Sequence, residues 1–112
     1  PLQDDDKTKP TNTAAAKKEQ KRIEAERRKE LQPLSNKIKR AERVIEKLTE
    51  QKEAIEAQLA DTELYNDDNK DKLKTLLTDQ AYVQKELDQA ETDWMTFSEE
   101  HEILSRQLRE SA

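Results

Sequence analysis

The chain contains no cysteine, no glycine and no long apolar run, and each absence excludes a class of protein. Without cysteine there are no disulfides, no thiolate nucleophile and no cysteine-ligated metal. Without glycine there is no Walker-type loop, whose backbone must approach a phosphate closely. No apolar stretch approaches the roughly 18 to 20 residues that a membrane-spanning helix needs, and no signal-peptide core is present. We therefore expect a cytoplasmic chain.

Hydrophobic residues are also scarce: they make up 31% of the 112 residues, whereas charged residues make up 42%. This balance is too polar for a globular core and is typical of a disordered chain or a coiled coil, so the periodicity of the apolar residues must decide. The length allows one small domain. Because the first residue is proline rather than methionine, we expect a segment of a longer polypeptide.

Residues 1–13, PLQDDDKTKPTNT, have no apolar periodicity and contain two of the three prolines, so we interpret them as a disordered linker. Asn12 or Thr13 can cap a following helix through its side-chain oxygen. That helix opens with AAAKKEQKRIEAERRKE, which favours helix strongly but has Ile23 as its one large apolar residue. This end needs support from other parts of the molecule to stay helical.

From Leu31 onward, apolar residues recur at alternating steps of three and four, the a/d seam of a coiled coil. Pro33 lies near the start of this seam, and we interpret it as a kink or a restart of the helix. Lys52 is the polar exception within the first part of the seam. The members of that part are Leu31, Leu34, Ile38, Ala41, Ile45, Leu48, Lys52, Ile55 and Leu59.

The same spacing resumes after a break and continues without a slip. Its members are Leu73, Leu76, Gln80, Val83, Leu87, Ala90, Trp94, Phe97, His101, Leu104 and Leu108. Two seams in one chain predict an all-α fold, a two-helix antiparallel coiled-coil hairpin over residues 14–112. We place the helices at about 14–60 and about 69–109.

The break, ADTELYNDDNKDKL, is too polar for a strand, and we interpret residues 61–68 as the hinge of the hairpin. Leu64 and Tyr65 are expected to cover the end of the seam as a hydrophobic plug, the alternative being an exposed loop. Their polar neighbours can cap the second helix and place negative charge at its positive end. These neighbours are Asn66, Asp67 and Asp68.

The seams also predict which residues face each other. Pairing Leu59 with Leu73 brings Ile45 opposite Leu87, Ile38 opposite Trp94, and Leu31 opposite His101. Ala41 then lies near Ala90, where two small side chains let the helices approach closely. Beyond Leu31 the second helix has few apolar partners, so we expect a looser open end.

Charge is divided unequally along the chain. Residues 17–52 carry 13 Lys or Arg against 7 Glu, a net of +6, whereas residues 53–112 carry 6 against 16 acids, a net of −10. The first 16 residues contribute −1, which completes the total of −5. The first helix is therefore basic and the second acidic.

The basic helix is the candidate functional site, because clustered cations attract phosphate backbones. The candidate residues are Lys17, Lys18, Lys21, Arg22, Arg27, Arg28, Lys29, Lys37, Lys39, Arg40 and Arg43. The alternative is a solvated helix whose own glutamates partly neutralise it. No base-reading motif is visible, so any binding should follow shape and charge rather than base sequence.

Other candidate sites are weaker. His101 is the single histidine and lacks partners with metal-ligand spacing, so we interpret it as a seam residue. Trp94 and Phe97 could stack on bases, but their seam positions favour a core role. No carboxylate lies in an apolar setting that would tune it for acid–base work, so we expect no catalytic residue, no metal site and no enzymatic activity in this segment.

Residues 37–94, KIKRAERVIEKLTEQKEAIEAQLADTELYNDDNKDKLKTLLTDQAYVQKELDQAETDW, resemble the C-terminal coiled-coil domain of ABC-F ATPases. The similar features are a charged helix with an internal Leu-x-Pro, the hinge LADTELY, and a second helix that reaches Trp94. The resemblance extends over roughly residues 17–100. The hinge and the tryptophan at this spacing are distinctive, whereas the heptads alone are not.

The resemblance implies a parent protein with two ATP-binding cassettes, which bind ATP and Mg, and with no transmembrane domain. Such proteins act on ribosomes during translation, and related C-terminal domains are associated with binding DNA or ribosomal RNA. This segment would be a monomeric, non-catalytic arm of that ATPase. The alternative is a protein-interaction or spacer hairpin that docks on the parent's ATPase domains or on a ribosomal protein. A self-associating coiled coil is less favoured, because the hinge already supplies a partner helix within the chain.

Overall fold

The computed structural model describes residues 13–111, which form two long α-helices joined by a short connection. Helix α1 is Ala14–Leu59 and helix α2 is Lys70–Glu110. Two single 3₁₀ turns, Thr62–Tyr65 and Asp67–Asn69, link them. The helices pack against each other in antiparallel directions, so the predicted all-α hairpin is confirmed. The residues before Thr13, most of the predicted linker, lie outside the described part of the chain.

The first helix begins at a cap and runs without a break. The Thr13 side-chain oxygen accepts a hydrogen bond from the Ala16 amide at 3.0 Å, as the cap prediction allowed. Pro33 lies inside α1 and does not restart it. Proline leaves the Lys29 carbonyl without its helical donor, but both residues are on the exposed side, where water can replace the lost bond. Of the two interpretations of Pro33, the restart is therefore wrong, and the kink stays a prediction.

Burial follows the predicted seams closely. All nine predicted seam residues of α1 are buried or half-buried, and so are ten of the eleven in α2. The best buried seam residue is Leu87, which is 5% exposed. Ala41 and Ala90 are both buried and line one depression between the helices. The close approach of the helices at this point stays a prediction.

Trp94 is the exception, with 36% of its surface exposed. Its indole Nε1 donates a hydrogen bond to a Glu42 carboxylate oxygen at 3.3 Å, across the seam. An indole N–H needs a polar partner, and Glu42 offers one at the edge of the interface, one turn beyond the predicted partner Ile38. The expectation that Trp94 is a core residue is therefore wrong in part: the ring borders the seam and reaches solvent.

The hinge contains one plug residue rather than two. Leu64 is 4% exposed and packs in a cluster with Ile55, Leu76 and Val83. Tyr65 is 57% exposed, and its hydroxyl donates to the Leu59 carbonyl at 2.6 Å. That bond satisfies one of the carbonyls left free at the end of α1. The plug prediction is confirmed for Leu64 and wrong for Tyr65.

Capping in the hinge also differs from the prediction. The N-cap of α2 is Asn69, and neither it nor Asn66 makes a side-chain cap bond. Asp61 instead caps the first 3₁₀ turn by accepting from the Glu63 amide at 3.0 Å, and the Asn69 side chain donates to the Glu63 carbonyl at 2.9 Å. The second 3₁₀ turn leads directly into α2, so the predicted capping by residues 66–68 is wrong.

A distance measurement can test this architecture in solution. Nitroxide labels at the exposed positions Glu53 and Ala81 should lie across the hairpin from each other, well under 30 Å apart. In one continuous helix the same positions would be about 42 Å apart. Dilution of the labelled chain with unlabelled chain should leave the short distance unchanged, because we expect a monomer. A short distance that disappears on dilution would mean that the helices pair between chains.

Candidate nucleic-acid interface

The cations of α1 are arranged in two adjacent rows on the side facing away from the seam. Within each row the separations are 3, 4, 7 or 11 residues, which return to nearly the same side of an α-helix. The first row is Lys18, Arg22, Lys29, Arg40, Arg43 and Lys47, and the second is Lys21, Arg28 and Lys39. All nine side chains are exposed. We call these nine residues the basic ridge.

Acidic residues of α1 lie beside the ridge, except Glu46, which lies on it between Arg43 and Lys47. One flank of the ridge carries Glu19, Glu26 and Glu30, on the same side of the helix as Lys37. The other flank carries Glu24. The ridge therefore presents a run of positive charge over about 44 Å, from its first to its last lysine.

The ridge ends where the outer side of α1 changes sign. Glu46, Glu50 and Glu53 occupy the outward positions that follow Arg43 at the same helical spacing. Beyond Lys47 the outer side of α1 is therefore acidic, and the cationic surface belongs to residues 18–47.

Arg22 is the one ridge cation held by carboxylates of its own helix. It forms ion pairs with Glu19 and with Glu26, the latter at 2.8 Å. Its hydrogen bond to Glu19, together with the charges of both glutamates, raises the pKa of Arg22 above its ordinary value. The same hydrogen bond lowers the pKa of Glu19. A phosphate would have to compete with two carboxylates at this position.

Three predicted site residues lie off the ridge. Arg27 is half-buried and lines a groove with Ile23 and Leu108 at the open end of the hairpin. The Lys37 ammonium lies 5.5 Å from the centre of the Phe97 ring, a cation–π contact across the seam. Lys17 belongs to the first turns of α1, beside the ridge. The remaining eight predicted cations all belong to the ridge.

Sequence reasoning missed Lys47. It is exposed and lies four residues beyond Arg43, so it continues the first row of the ridge. Counting charges over windows hides this continuity, because Glu46 and Glu50 surround Lys47 in sequence. Testing the cations for a shared helical side would have found it.

The acidic helix does not neutralise the ridge through direct contacts. Over residues 13–111, the ion pairs of Arg22, of Lys70 with Asp67, and of Arg106 with Glu102 all join side chains three or four positions apart. The two helices meet along the seam, and most of the ridge lies on the other side of α1. Arg40 shares a depression with an α2 carboxylate, that of Asp93. A polyanion can approach the rest of the ridge from the side of α1 away from the seam.

The other candidate sites show no arrangement for chemistry. His101 is half-buried within the seam, as its position predicted. Among the described residues there is no group of three or more His, Cys, Asp or Glu side chains placed to hold a metal ion. Neither α1 nor α2 has a stretch apolar enough to cross a membrane.

Comparison with known proteins places this hairpin in a family. The profile of the ABC transporter C-terminal domain matches residues 15–99, which include the basic ridge, the hinge and most of α2. A relative from Haemophilus influenzae, described as probable ATP-binding protein YheS, is 57% identical over 44 residues. That alignment covers 39% of this chain and 7% of the relative, so the chain corresponds to a small part of that protein. No solved structure matches.

The family match and the predicted resemblance agree on the same features. The profile extends over the helices and the hinge on which the ABC-F resemblance rested, and the relative is an ATP-binding protein by its description. The chain belongs to the ABC transporter C-terminal domain family.

Proposed function

We propose that this hairpin is the non-catalytic C-terminal arm of an ABC-F-type ATP-binding protein and that its basic ridge binds the phosphate backbone of DNA or ribosomal RNA. One observation carries the proposal: nine exposed cations share the outer side of α1, while the acids of that segment, apart from Glu46, lie at its flanks. A solvated helix stabilised by its own ion pairs would intersperse both signs on one side. Within residues 13–111, Arg22 is the one ridge cation that forms an ion pair, so the other ridge cations are available to an external anion.

The same arrangement limits what the ridge can recognise. Lysine and arginine side chains on one straight helix side can follow phosphates, but the ridge contains no glutamine or asparagine placed to read base edges. The side chains that could stack on bases, Trp94 and Phe97, are on α2 and border the seam. Binding should therefore depend on charge and helix shape and be nearly indifferent to base sequence.

In the parent protein the arm would add affinity or set position, while ATP and Mg bind in the cassettes. The relative's description as an ATP-binding protein supports such a parent. A role on the ribosome, in the cytoplasm, follows from the ABC-F resemblance. The alternative, a spacer hairpin, is supported by the length of α1, 46 residues or about 69 Å, which could hold a distant contact without binding nucleic acid.

A salt titration tests the proposal directly. The hairpin should bind duplex DNA, an RNA stem-loop and ribosomes with affinities that fall linearly on a log–log plot against salt concentration. Nine ridge cations limit the slope for duplex DNA to about −8, because each phosphate contact contributes about −0.9. Two duplexes of scrambled sequence should give the same affinity. A slope near zero, or no binding at low salt, would favour the spacer hairpin.

A further inference from the structure

A shallow depression lies between the two helices, and the ridge borders it through Arg40. Its floor is made by the buried alanines 41 and 90, and Val44 and Phe97 form apolar walls. Lys37 and Arg40 stand on its α1 edge and Asp93 on its α2 edge. Small side chains at the floor leave a hollow that neighbouring large residues do not fill.

A second depression lies nearer the hinge. Ile55 and Val83 are its buried residues, Ala54 and Tyr82 are its other apolar members, and Asp79 stands on its α2 edge. The pair of depressions is separated by about twelve residues of α1, which corresponds to about 18 Å.

Both depressions lie on the same side of the hairpin. Val44 and Gln51 are seven residues apart on α1, and Asp79 and Asp93 are fourteen apart on α2. Residues at multiples of seven stay on one side of a coiled-coil helix, and each depression contains one member of each pair. We call this surface the Val44 side.

The Val44 side exposes apolar groups at both depressions. Val44 is 44% exposed and Tyr82 is 64% exposed. Single exposed hydrophobic residues are ordinary on protein surfaces. These two differ from the exposed Met95 and Ile103, because each borders a hollow with an apolar floor and the two hollows lie in line along the hairpin.

The edges of the Val44 side carry opposite charges. Lys37 and Arg40 give the α1 edge a positive charge beside the first depression. Asp79, Glu86 and Asp93, at intervals of seven, give the α2 edge a negative charge along both. A partner that complements this surface needs an apolar stripe with acidic groups on one edge and basic groups on the other.

We propose that the Val44 side binds an amphipathic helix of a partner protein, whose acidic edge faces α1 and whose basic edge faces α2. A helix suits the space, because apolar side chains about eleven positions apart project on one side at a separation of about 16 Å, close to that of the hollows. The apolar surface is confined to two hollows, so it lacks the continuous seam with which a second hairpin would form a lasting dimer. This docking site shares Arg40 with the ridge, but its apolar residues lie outside the proposed nucleic-acid site.

A designed peptide can probe the site. The probe is a synthetic helical peptide with two leucines about eleven positions apart, glutamates along one edge and lysines along the other. It should bind the hairpin saturably in fluorescence anisotropy. Val44→Ser and Tyr82→Ser should each weaken binding roughly fivefold or more, because each removes an apolar contact.

Matched controls are available in the same chain. Ile103→Ser and Met95→Ser remove side chains that are 45% and 62% exposed, nearly the same as Val44 and Tyr82, and line neither depression. These two variants should bind the peptide like the original chain. All four should keep the helical circular dichroism and the salt-dependent affinity for duplex DNA, because none changes a ridge cation.

The charged edges make a second, independent prediction. In a second peptide the acidic and basic edges are exchanged. This peptide can place its acids against α1 and its bases against α2 only if it binds in the opposite N-to-C direction. A nitroxide at the peptide N-terminus should therefore broaden signals near Phe97 with one peptide and near Tyr82 with the other.

Three results would overturn the proposal. One is binding that Val44→Ser and Tyr82→Ser leave unchanged, and another is a peptide with lysine on both edges that binds as well as the mixed one. The third is sedimentation showing a dimer that Val44→Ser abolishes, since the Val44 side would then serve a second copy of the chain.

Discussion

Replacing Leu87 with alanine is expected to lower the free energy of unfolding by about 2 to 5 kcal/mol. Leu87 is 5% exposed and sits near the middle of the α2 seam, between the buried residues Val83 and Ala90. Two long helices packed along one seam have little freedom to collapse around a missing side chain, so the cost of the lost apolar contacts and the cost of the remaining cavity add. Urea denaturation followed by circular dichroism measures the change.

Ile23→Ala is the comparison for that experiment. Ile23 is half-buried at the open end, where its neighbours in the groove are Leu108 and charged side chains such as Arg27 and Glu30. Truncation there should cost about 1 kcal/mol or less, because little packing is lost. Equal losses at Ile23 and Leu87 would show that the open end is packed as tightly as the middle, contrary to the burial pattern.

The seam was predictable because it depends on one strong, repeated physical requirement. Each apolar residue at a step of three or four must face the partner helix. A shift of this spacing by one residue would turn the apolar residues that follow toward solvent. Lys52, Gln80 and His101 were placed correctly in the seam despite their polarity, because their neighbours fixed the phase. The unbroken run of α1 through Pro33 was not predictable in the same way, since it depends on whether the carbonyl that loses its helical donor faces water.

The hinge was only partly predictable because local geometry decides it. Sequence identified Leu64 as a plug, since an apolar residue at the end of a seam gains by burial. It could not tell that the chain forms two successive 3₁₀ turns, which direct Tyr65 outward and transfer capping to Asp61. Trp94 also differs from its prediction as a core residue. Its indole N–H needs a hydrogen-bond partner, and this need competes with burial of the ring.

The candidate site was predictable in composition but not in arrangement. Counting charges identified the basic half of α1, but Arg27 and Lys37 were grouped with residues on another side of the helix. The structure separates them by burial and contacts: Arg27 is half-buried, whereas the ridge cations are exposed, and Lys37 lies over Phe97. The other cations form a ridge on one side of α1. Substitutions on that side and substitutions beside it should therefore differ in their effect on nucleic-acid binding.

The proposed nucleic-acid site on the ridge and the proposed docking site on the Val44 side occupy different parts of the hairpin surface. The ridge lies opposite the seam on α1, whereas the Val44 side runs along the seam between both helices. An arm arranged in this way could touch a polyanion and a protein helix at once, with Arg40 at their shared border. Variants at Val44 and at Lys29 should therefore affect different ligands.

Neutralising the ridge is expected to give the largest change in nucleic-acid affinity. Replacing Lys29, Arg40 and Arg43 together with glutamine removes three exposed cations of the first row and keeps side chains with good helix propensity. The slope of log affinity against log salt should fall by about 2 to 3, since each lost phosphate contact accounts for about 0.9. At about 0.1 M salt this corresponds to a loss of affinity on the order of a hundredfold.

The matched control is a second triple variant, which removes three positive charges from a different part of the hairpin. Lys70, Lys72 and Lys74 are exposed at the start of α2, and Lys70 already lies 3.8 Å from an Asp67 carboxylate oxygen. Their replacement with glutamine should change the slope by less than about one, because Asp67, Asp68 and Asp71 repel a polyanion from that end.

Arg22→Gln alone should also have a small effect, since Glu19 and Glu26 already hold that guanidinium. If the ridge triple and the hinge triple weaken binding equally, only net charge matters, and if neither weakens it, the hairpin is a spacer.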